Sequence, residues 1–150
     1  MREILFRGKR KDNGEWVEGF YYLKKIKISG DKTFMSEEHM ITTGVELIGG
    51  AYGESLDYIE YKVIPETVGQ YTGLTDKNDN KICEGDIVLV NVKGYNTVCT
   101  VSWADVVAHF QLWQVNTIPK TSTNLNLGNY DCEIIGNIHD NPELLKEGAE

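Results

Sequence analysis

Cysteine and proline are scarce in this sequence, with three of each among 150 residues. The cysteines, Cys83, Cys99 and Cys132, are far apart, and no Cys-x-x-Cys pair occurs. A disulfide framework calls for an even number of cysteines, and a zinc site calls for closely spaced ones. We therefore expect three reduced thiols in a cytoplasmic protein.

Long hydrophobic runs are also missing. Nowhere do about 18 apolar residues follow one another, and the first residues lack the apolar run of a secretion signal. The sequence therefore predicts neither a membrane segment nor secretion. Hydrophobic residues make up 41% of the chain and charged residues 25%. Because these shares are close to the globular average, we expect an ordered core.

Metal-binding patterns are absent as well. The three histidines are His39, His109 and His139. None is two or four residues from another, the spacing that brings two imidazoles to one metal. The stretch Asp76–Asn80 begins like a calcium loop, but Lys81 stands where that loop needs Gly and Ile87 where it needs Glu. We expect an ordinary turn there and no bound metal.

No constellation of residues marks a catalytic centre. The glycine-rich stretch 49–53 precedes no Lys-Ser/Thr pair and opens no helix, so it does not predict a phosphate site. Glu84 and Asp86 would point the same way in an extended strand, which is compatible with acid–base chemistry. A polar strand start explains the same pattern. We expect no enzyme activity and no cofactor, and a Glu84/Asp86 site is the least favoured alternative.

What the sequence does contain is a pattern of short strands. Alternating apolar residues from Ile4 to Tyr22, interrupted by a turn at Asp12-Asn13-Gly14, predict a β-hairpin. After Pro65 come more short strands with short turns, and Asn141-Pro142 predicts one short C-terminal helix. We predict a mostly β fold with a β-hairpin N-terminal region over 1–64 and a small antiparallel barrel or roll over 65–150. Whether the two share one core stays open.

Charge is unevenly distributed along the chain. The net charge is −8, but residues 1–35 hold nine Lys/Arg against five Asp/Glu, and residues 36–150 hold six against eighteen. An acidic body is repelled by phosphates, so nucleic-acid binding would depend on the basic N-terminal segment. The candidate contact residues of that segment are Arg7, Lys9, Arg10, Lys11, Lys24 and Lys25.

Two aromatic residues are further contact candidates. Tyr52 lies in the glycine-rich stretch, and Trp113 falls on the polar side of its predicted strand. Trp16, Trp103 and Phe110 are instead predicted to lie in the core, because aromatic residues at alternate positions in β proteins usually pair inside the fold.

Three segments resemble the YopX protein family. They are Phe6-Arg7-Gly8-Lys9-Arg10 with Asn13-Gly14-Glu15-Trp16, then Pro65–Leu74 with Glu84-Gly85-Asp86-Ile87-Val88, and finally Ile135-Gly136-Asn137-Ile138 with Asn141–Leu145. They follow in order over nearly the whole chain. Asp79 stands where the family's turn usually has Gly, and Cys83 where an aromatic residue is usual. Because Asp tolerates left-handed backbone better than most residues, we expect the turn to survive.

The resemblance implies a mostly β architecture with SH3-like rolls and an origin in phage or prophage genomes, but no activity. Our leading hypothesis is a non-enzymatic phage accessory protein that binds a host or phage protein or forms a homo-oligomer. In the oligomer, the basic hairpin of one subunit would face acidic residues of another. Nucleic-acid binding through the same hairpin is the first alternative.

Overall fold

The computed structural model describes residues 3–28, 34–50, 53–92, 94–115, 122–124 and 131–146. As the sequence predicts, this part of the chain is mostly antiparallel β structure. Its strands are β1 (Phe6–Lys9), β2 (Trp16–Ile28), β3 (Phe34–Gly50), β4 (Gly53–Lys62), β5 (Gly69–Thr75), β6 (Lys81–Cys83), β7 (Asp86–Val92), β8 (Tyr95–Ala104), β9 (His109–Gln114), β10 (Ser122–Asn124) and β11 (Asp131–Asn137). Its helical elements are two 3₁₀ turns, Pro65–Thr67 and Pro142–Leu145. No helix in these ranges has the length and apolarity needed to cross a membrane.

The chain divides into two compact units within β5, between Gln70 and Tyr71. The predicted boundary at Pro65 lies just before this strand. In the N-terminal unit the strand order is β4-β3-β2-β1-β5. The predicted first hairpin is present: β1 and β2 pair from Lys9↔Trp16 to Phe6↔Gly19, and Gly14 takes a φ of 75° in the turn. Glycine is favoured there because it lacks the Cβ that penalises a positive φ.

The core of the N-terminal unit forms where strand backbones come close together. Ile41 and Val63 are almost completely buried. Gly8 lies against both, since a Cβ on it would be 3.2 Å from Val63 Cβ and 3.3 Å from Ile41 Cδ1. Gly19 is packed more tightly, because a Cβ there would be 2.2 Å from the carbonyl oxygen of Thr42. Glycine is therefore required at position 19 for β2 to lie this close to β3.

In the C-terminal unit, the remainder of β5 pairs with β6, and a five-stranded sheet has the order β10-β9-β8-β7-β11. Its core cluster consists of Ile82, Val88, Val90, Cys99, Val101, Leu112 and Cys132, with Ile134 packed against it. Ile87 and Val88 are consecutive residues of β7 whose side chains point to opposite sides, and both are fully buried. Their burial fits the position of β7 inside the sheet, between β8 and β11.

Two fold predictions for the C-terminal half need correction. In the described residues, β10 and β11 end the sheet without pairing to each other, so the sheet is open and the predicted closed barrel is wrong. The predicted C-terminal helix is a single 3₁₀ turn, Pro142–Leu145. Asn141 does not cap this turn with its side chain; its Oδ1 instead accepts a hydrogen bond from the Asn137 N–H at 3.3 Å. An SH3-like roll over 65–150 stays a prediction.

Local geometry at three predicted positions is informative. Asp79 has a φ of 64°, so the left-handed turn survives without glycine, as expected. Phe110 is buried as predicted, but Trp103 is 40% exposed, and its assignment to the core is wrong. Trp103 lies near the end of β8 and packs edge-on against Phe110, with ring centroids 5.0 Å apart. The Trp103 ring thus contacts the buried Phe110 ring but remains partly accessible to solvent.

Candidate interaction surface

The predicted basic residues of the first hairpin lie against aromatic rings. The Arg7 guanidinium is 4.9 Å and the Lys9 ammonium 5.5 Å from the centroid of the Trp16 ring. Cations at such distances are attracted to the negative face of an indole. Trp16 is half-buried beneath these side chains. Arg7 and Lys9 therefore cover an aromatic residue in addition to presenting charge.

Arg10 is held by neighbours within the chain. Its Nε and NH2 groups donate to the two carboxylate oxygens of Asp12 at 3.0 and 2.6 Å, and its guanidinium stacks 4.2 Å above the Tyr61 ring. The hydrogen bond from Arg10 lowers the pKa of Asp12. Lys11 lies beside a cavity of about 310 Å³ that Asp12 and Tyr61 also line. These contacts give Arg10 a structural role in the hairpin.

Two cations of β2, Lys24 and Lys25, face acidic residues of β3 and β4. Lys24 pairs with Glu60, and Lys25 Nζ is 3.4 Å from Glu37 Oε1. Hydrogen bonds from Lys24 and then Tyr22 lower the pKa of Glu60. Residues 3–70 as a whole hold nine Lys/Arg against twelve Asp/Glu. These two lysines of the basic segment therefore find their counter-charges within their own sheet.

Of the two aromatic contact candidates, Tyr52 and Trp113, the structure describes Trp113. Tyr52 lies outside the described residues. Trp113 is half-buried in β9, where its register partners are Thr100 in β8 and Ser122 in β10. Trp113 belongs to the C-terminal unit, and the basic candidates belong to the N-terminal unit.

Glu84 and Asp86 hold backbone groups in place. Glu84 lies in the turn between β6 and β7, and Asp86 is the first residue of β7; Gly85 between them has a φ of 84°, so the extended geometry considered above is wrong. Asp86 is fully buried and its Oδ2 accepts the Cys83 N–H at 2.7 Å. Glu84 Oε1 accepts the Trp103 N–H at 3.2 Å. A buried carboxylate such as that of Asp86 is not accessible to a substrate.

Metal ligands do not come together in the described ranges: no group of three or more His, Cys, Asp or Glu is placed to hold an ion there. The calcium-like stretch is organised by Asp76, which is 5% exposed. Its Oδ1 accepts the N–H groups of Asn78 and Asn80 at 2.8 and 2.9 Å, and its Oδ2 accepts that of Ile134 at 3.1 Å. The carboxylate thus serves as the centre of a turn.

A two-stranded extension of the N-terminal sheet carries an exposed surface that sequence patterns miss. β3 pairs with β2 from Phe34 to Thr42 and with β4 from Met40 to Gly50. Residues 44–50 of β3 and 53–59 of β4 therefore form a hairpin beyond the three-stranded part, which we call the arm. Among the described residues, each arm strand has the other as its sole strand partner.

One side of the arm is apolar and exposed to solvent. Val45 is directly opposite Tyr58, and Leu47 is directly opposite Leu56. Directly opposed residues point to the same side of a sheet. The four residues, in the order Val45, Leu47, Leu56 and Tyr58, are 53%, 61%, 68% and 65% exposed. Two apolar cross-strand pairs are thus left largely in water.

Phe20 extends this surface onto β2. It is directly opposite Thr42 on β3, and Thr42 is directly opposite Glu60 on β4, so these three residues lie on one side of the sheet. Tyr58 lies on that side too, because it is two positions from Glu60 along β4. Phe20 is 62% exposed. We call Phe20, Val45, Leu47, Leu56 and Tyr58 the apolar face.

A β-bulge determines where the apolar face lies. Thr42 pairs with Glu60 and Gly44 with Ile59, so Thr43 is an extra residue on β3. The Thr42 hydroxyl is 3.2 Å from the carbonyl oxygens of both Gly44 and Ile59, and the Thr43 hydroxyl is 3.4 Å from that of Ile59. These contacts stabilise the irregular backbone at this point.

The bulge is also the reason why sequence alternation does not reveal the apolar face. It places Val45 and Leu47 on the same side of β3 as Thr42, whereas strict alternation would place them on the other side. The signal available in the sequence is the glycine at position 44 within a strand pattern, which is typical of bulges.

These observations define a class of protein: a two-unit antiparallel β protein with an exposed apolar sheet face. A sequence model of the YopX protein family matches residues 5–146, nearly the whole chain. The protein therefore belongs to the YopX family, which confirms the resemblance noted from its motifs.

One solved structure is similar over almost the full length. The crystal structure of protein EF1440 from Enterococcus faecalis matches with a TM-score of 0.57 and 24% sequence identity, covering 97% of this chain and 99% of that chain. At this identity the likeness shows a shared fold alone. No curated protein matches the chain.

Proposed function

We propose that this protein is a non-enzymatic interaction module that binds another protein through the apolar face. The observation that carries the proposal is the set of five large apolar side chains, each more than half exposed, on one side of one sheet. Contiguous exposed apolar surface of this kind is typical of protein–protein contact sites.

The energetics support this assignment. Burying a Val, Leu or Phe side chain completely contributes about 1.5–3 kcal/mol, so covering the apolar face would contribute on the order of 5 kcal/mol before the cost of association. A two-stranded hairpin is also only marginally stable in water by itself. A partner that covers the arm would therefore stabilise this hairpin, and burial of the apolar face would contribute to the affinity of the complex.

The other hypotheses have less support. Lys24 and Lys25 of β2 pair with Glu60 and Glu37, which does not favour the nucleic-acid alternative. The burial of Asp86 does not favour an enzyme at Glu84 and Asp86. Family membership supports the role of a phage or prophage accessory protein, and the reduced cysteines support a cytoplasmic location.

The proposal is tested by site-specific photo-crosslinking in cells that express the protein. A photoreactive amino acid replaces Leu56 on the apolar face or, as a matched control, Ser55, which is exposed on the other side of the same strand. We expect irradiation to link position 56 to one defined protein, identified by mass spectrometry of the linked peptides, and to give little product from position 55.

Two results would overturn the proposal. One is the absence of any protein adduct at position 56. The other is equal adduct formation at positions 55 and 56, because contact would then be independent of the apolar side chains.

A further inference from the structure

We propose that the partner of the apolar face is the same face of a second copy of this chain, related by a two-fold axis. This inference rests on the proposed function and names the partner of that site. It differs from pairing through the basic hairpin, because the contact lies on the arm and on Phe20.

The shape of the apolar face suits its own copy. Two cross-strand pairs, Val45–Tyr58 and Leu47–Leu56, form successive rows on one side of a two-stranded ribbon. Sheets pack face to face about 10 Å apart with their side chains interdigitated. In a two-fold interface one patch serves both partners, so a single apolar strip is sufficient.

The area of the face is close to what a dimer needs. With roughly 200 Å² per large apolar residue, five residues exposed by between half and two-thirds present on the order of 600 Å² per copy. A standard protein interface buries about 800 Å² per partner. The polar side chains that border the apolar face on the same side of the sheet supply the remaining area.

Charges at the two ends of the face favour an antiparallel arrangement. Glu54 borders the apolar residues at the tip of the arm, on the same side of β4 as Leu56. At the base, Lys62 is paired with Glu38 and Lys24 with Glu60, so the charges there are balanced. A two-fold axis through the face places the acidic tip of each arm toward the balanced base of the other and keeps the two Glu54 carboxylates apart, which avoids repulsion between like charges.

The purified wild-type protein provides the first test. Sedimentation over a range of concentrations is expected to show a monomer–dimer equilibrium. Leu56→Lys is expected to raise the dimer dissociation constant by at least about 100-fold, because a two-fold interface carries every substitution twice. Ser55→Lys, which adds the same charge on the other side of the same strand, is expected to leave the constant close to that of the wild type.

The outcomes separate this inference from the proposed function. A wild-type protein that stays monomeric at every concentration overturns the dimer, as does a Leu56→Lys variant that dimerises like the wild type while both retain the same melting temperature. If the purified protein is monomeric but position 56 links to a different protein in cells, the dimer fails and the interaction module stands. If position 56 links to nothing in cells, the interaction module fails.

A second measurement tests the geometry. Tyr58 belongs to the middle row of the face, so Tyr58→Cys is expected to give a covalent dimer with a short bifunctional maleimide, whereas Asp57→Cys, on the other side, is not. The native Cys83, Cys99 and Cys132 are buried, and burial raises the pKa of Cys99 and Cys132 to about 11, so they supply little reactive thiolate. Equal linking at positions 57 and 58, or none at 58, overturns the two-fold arrangement.

Discussion

At the scale of single residues, Asp76 shows how one buried carboxylate organises a turn. Burial by itself would raise its pKa, but hydrogen bonds from the backbone of Asn80, Ile134 and Asn78 and from the Asn80 side chain outweigh that effect, and the pKa of Asp76 is lowered. A carboxyl group whose pKa is lower in the folded state stabilises the fold above its unfolded pKa. This contribution is lost as the pH falls through the folded pKa.

We predict that Asp76→Asn lowers the free energy of unfolding by about 1–3 kcal/mol at neutral pH, because an amide replaces a charged acceptor. The variant is also expected to lose less stability than the wild type when the pH falls below about 4, the range in which the wild-type carboxylate takes up its proton. Urea denaturation between pH 2 and pH 7 measures both effects.

Asp79→Asn is the matched control for this prediction. Asp79 is exposed in the same loop, and Asn tolerates its φ of 64°. If Asp76→Asn and Asp79→Asn have the same stability and the same pH dependence, Asp76 is not the organising group of the turn.

Residue-scale features differ in how far sequence reveals them. The turn at Asp79 follows from the short polar stretch around it and from the family motif. The hydrogen bond from Ile134 to Asp76 does not, because 58 residues separate the two and local propensity contains no information on such a contact. Long-range polar contacts of this kind become visible in the structure alone.

At the scale of strands, Gly19 and Thr42 set the distance between β2 and β3. We predict that Gly19→Ala lowers the free energy of unfolding by roughly 2 kcal/mol or more, because the new Cβ would lie 2.2 Å from the Thr42 carbonyl oxygen and would push the strands apart. Gly44→Ala is the control, since a Cβ on Gly44 has no atom within 4 Å. Thermal unfolding followed by circular dichroism compares the two variants.

Equal melting temperatures for Gly19→Ala and Gly44→Ala would show that β2 and β3 separate without cost at this point. The expected outcome is a lower stability of Gly19→Ala and an unchanged or slightly higher stability of Gly44→Ala, because position 44 has room for a Cβ and alanine loses less backbone entropy in a strand than glycine does.

Strand positions are the part of the fold that sequence predicts best. Period-two alternation and the Asn-Gly turn are enough to identify β1 and the start of β2. Alternation does not show on which side of the sheet the residues of the arm lie, since one extra residue at Thr43 shifts the alternation of β3. It also fails for the predicted barrel, because closure depends on whether distant edge strands meet and not on any local pattern.

At the scale of the whole molecule, the pairing of charges in the fold tells more about which cations are available to an anionic partner than the distribution of charge along the sequence does. The basic first 35 residues suggest an anionic partner, but the fold places Lys24 and Lys25 beside Glu60 and Glu37. Three of the six basic candidates predicted from sequence, Arg10, Lys24 and Lys25, are therefore paired with carboxylates, while the apolar face was not predicted. A linear sequence shows which charges exist but not which of them neutralise one another.

We predict no complex with duplex or single-stranded DNA at physiological salt, because the net charge of −8 repels phosphates and Lys24 and Lys25 are paired within the sheet. Fluorescence anisotropy with labelled oligonucleotides at low and physiological salt measures this. Steeply salt-dependent binding that disappears in Lys24→Glu would contradict the prediction and revive the basic hairpin as a nucleic-acid surface.

The extra residue at Thr43 has a consequence for which changes of chain length the arm tolerates. Loss of the codon for Thr43 would make β3 regular while Thr42, Gly44 and Val45 stay opposite Glu60, Ile59 and Tyr58, so the outward side chains of the arm would keep their present side. The bulge is thus a place in β3 where the chain can become one residue shorter without exchanging the two sides of the arm.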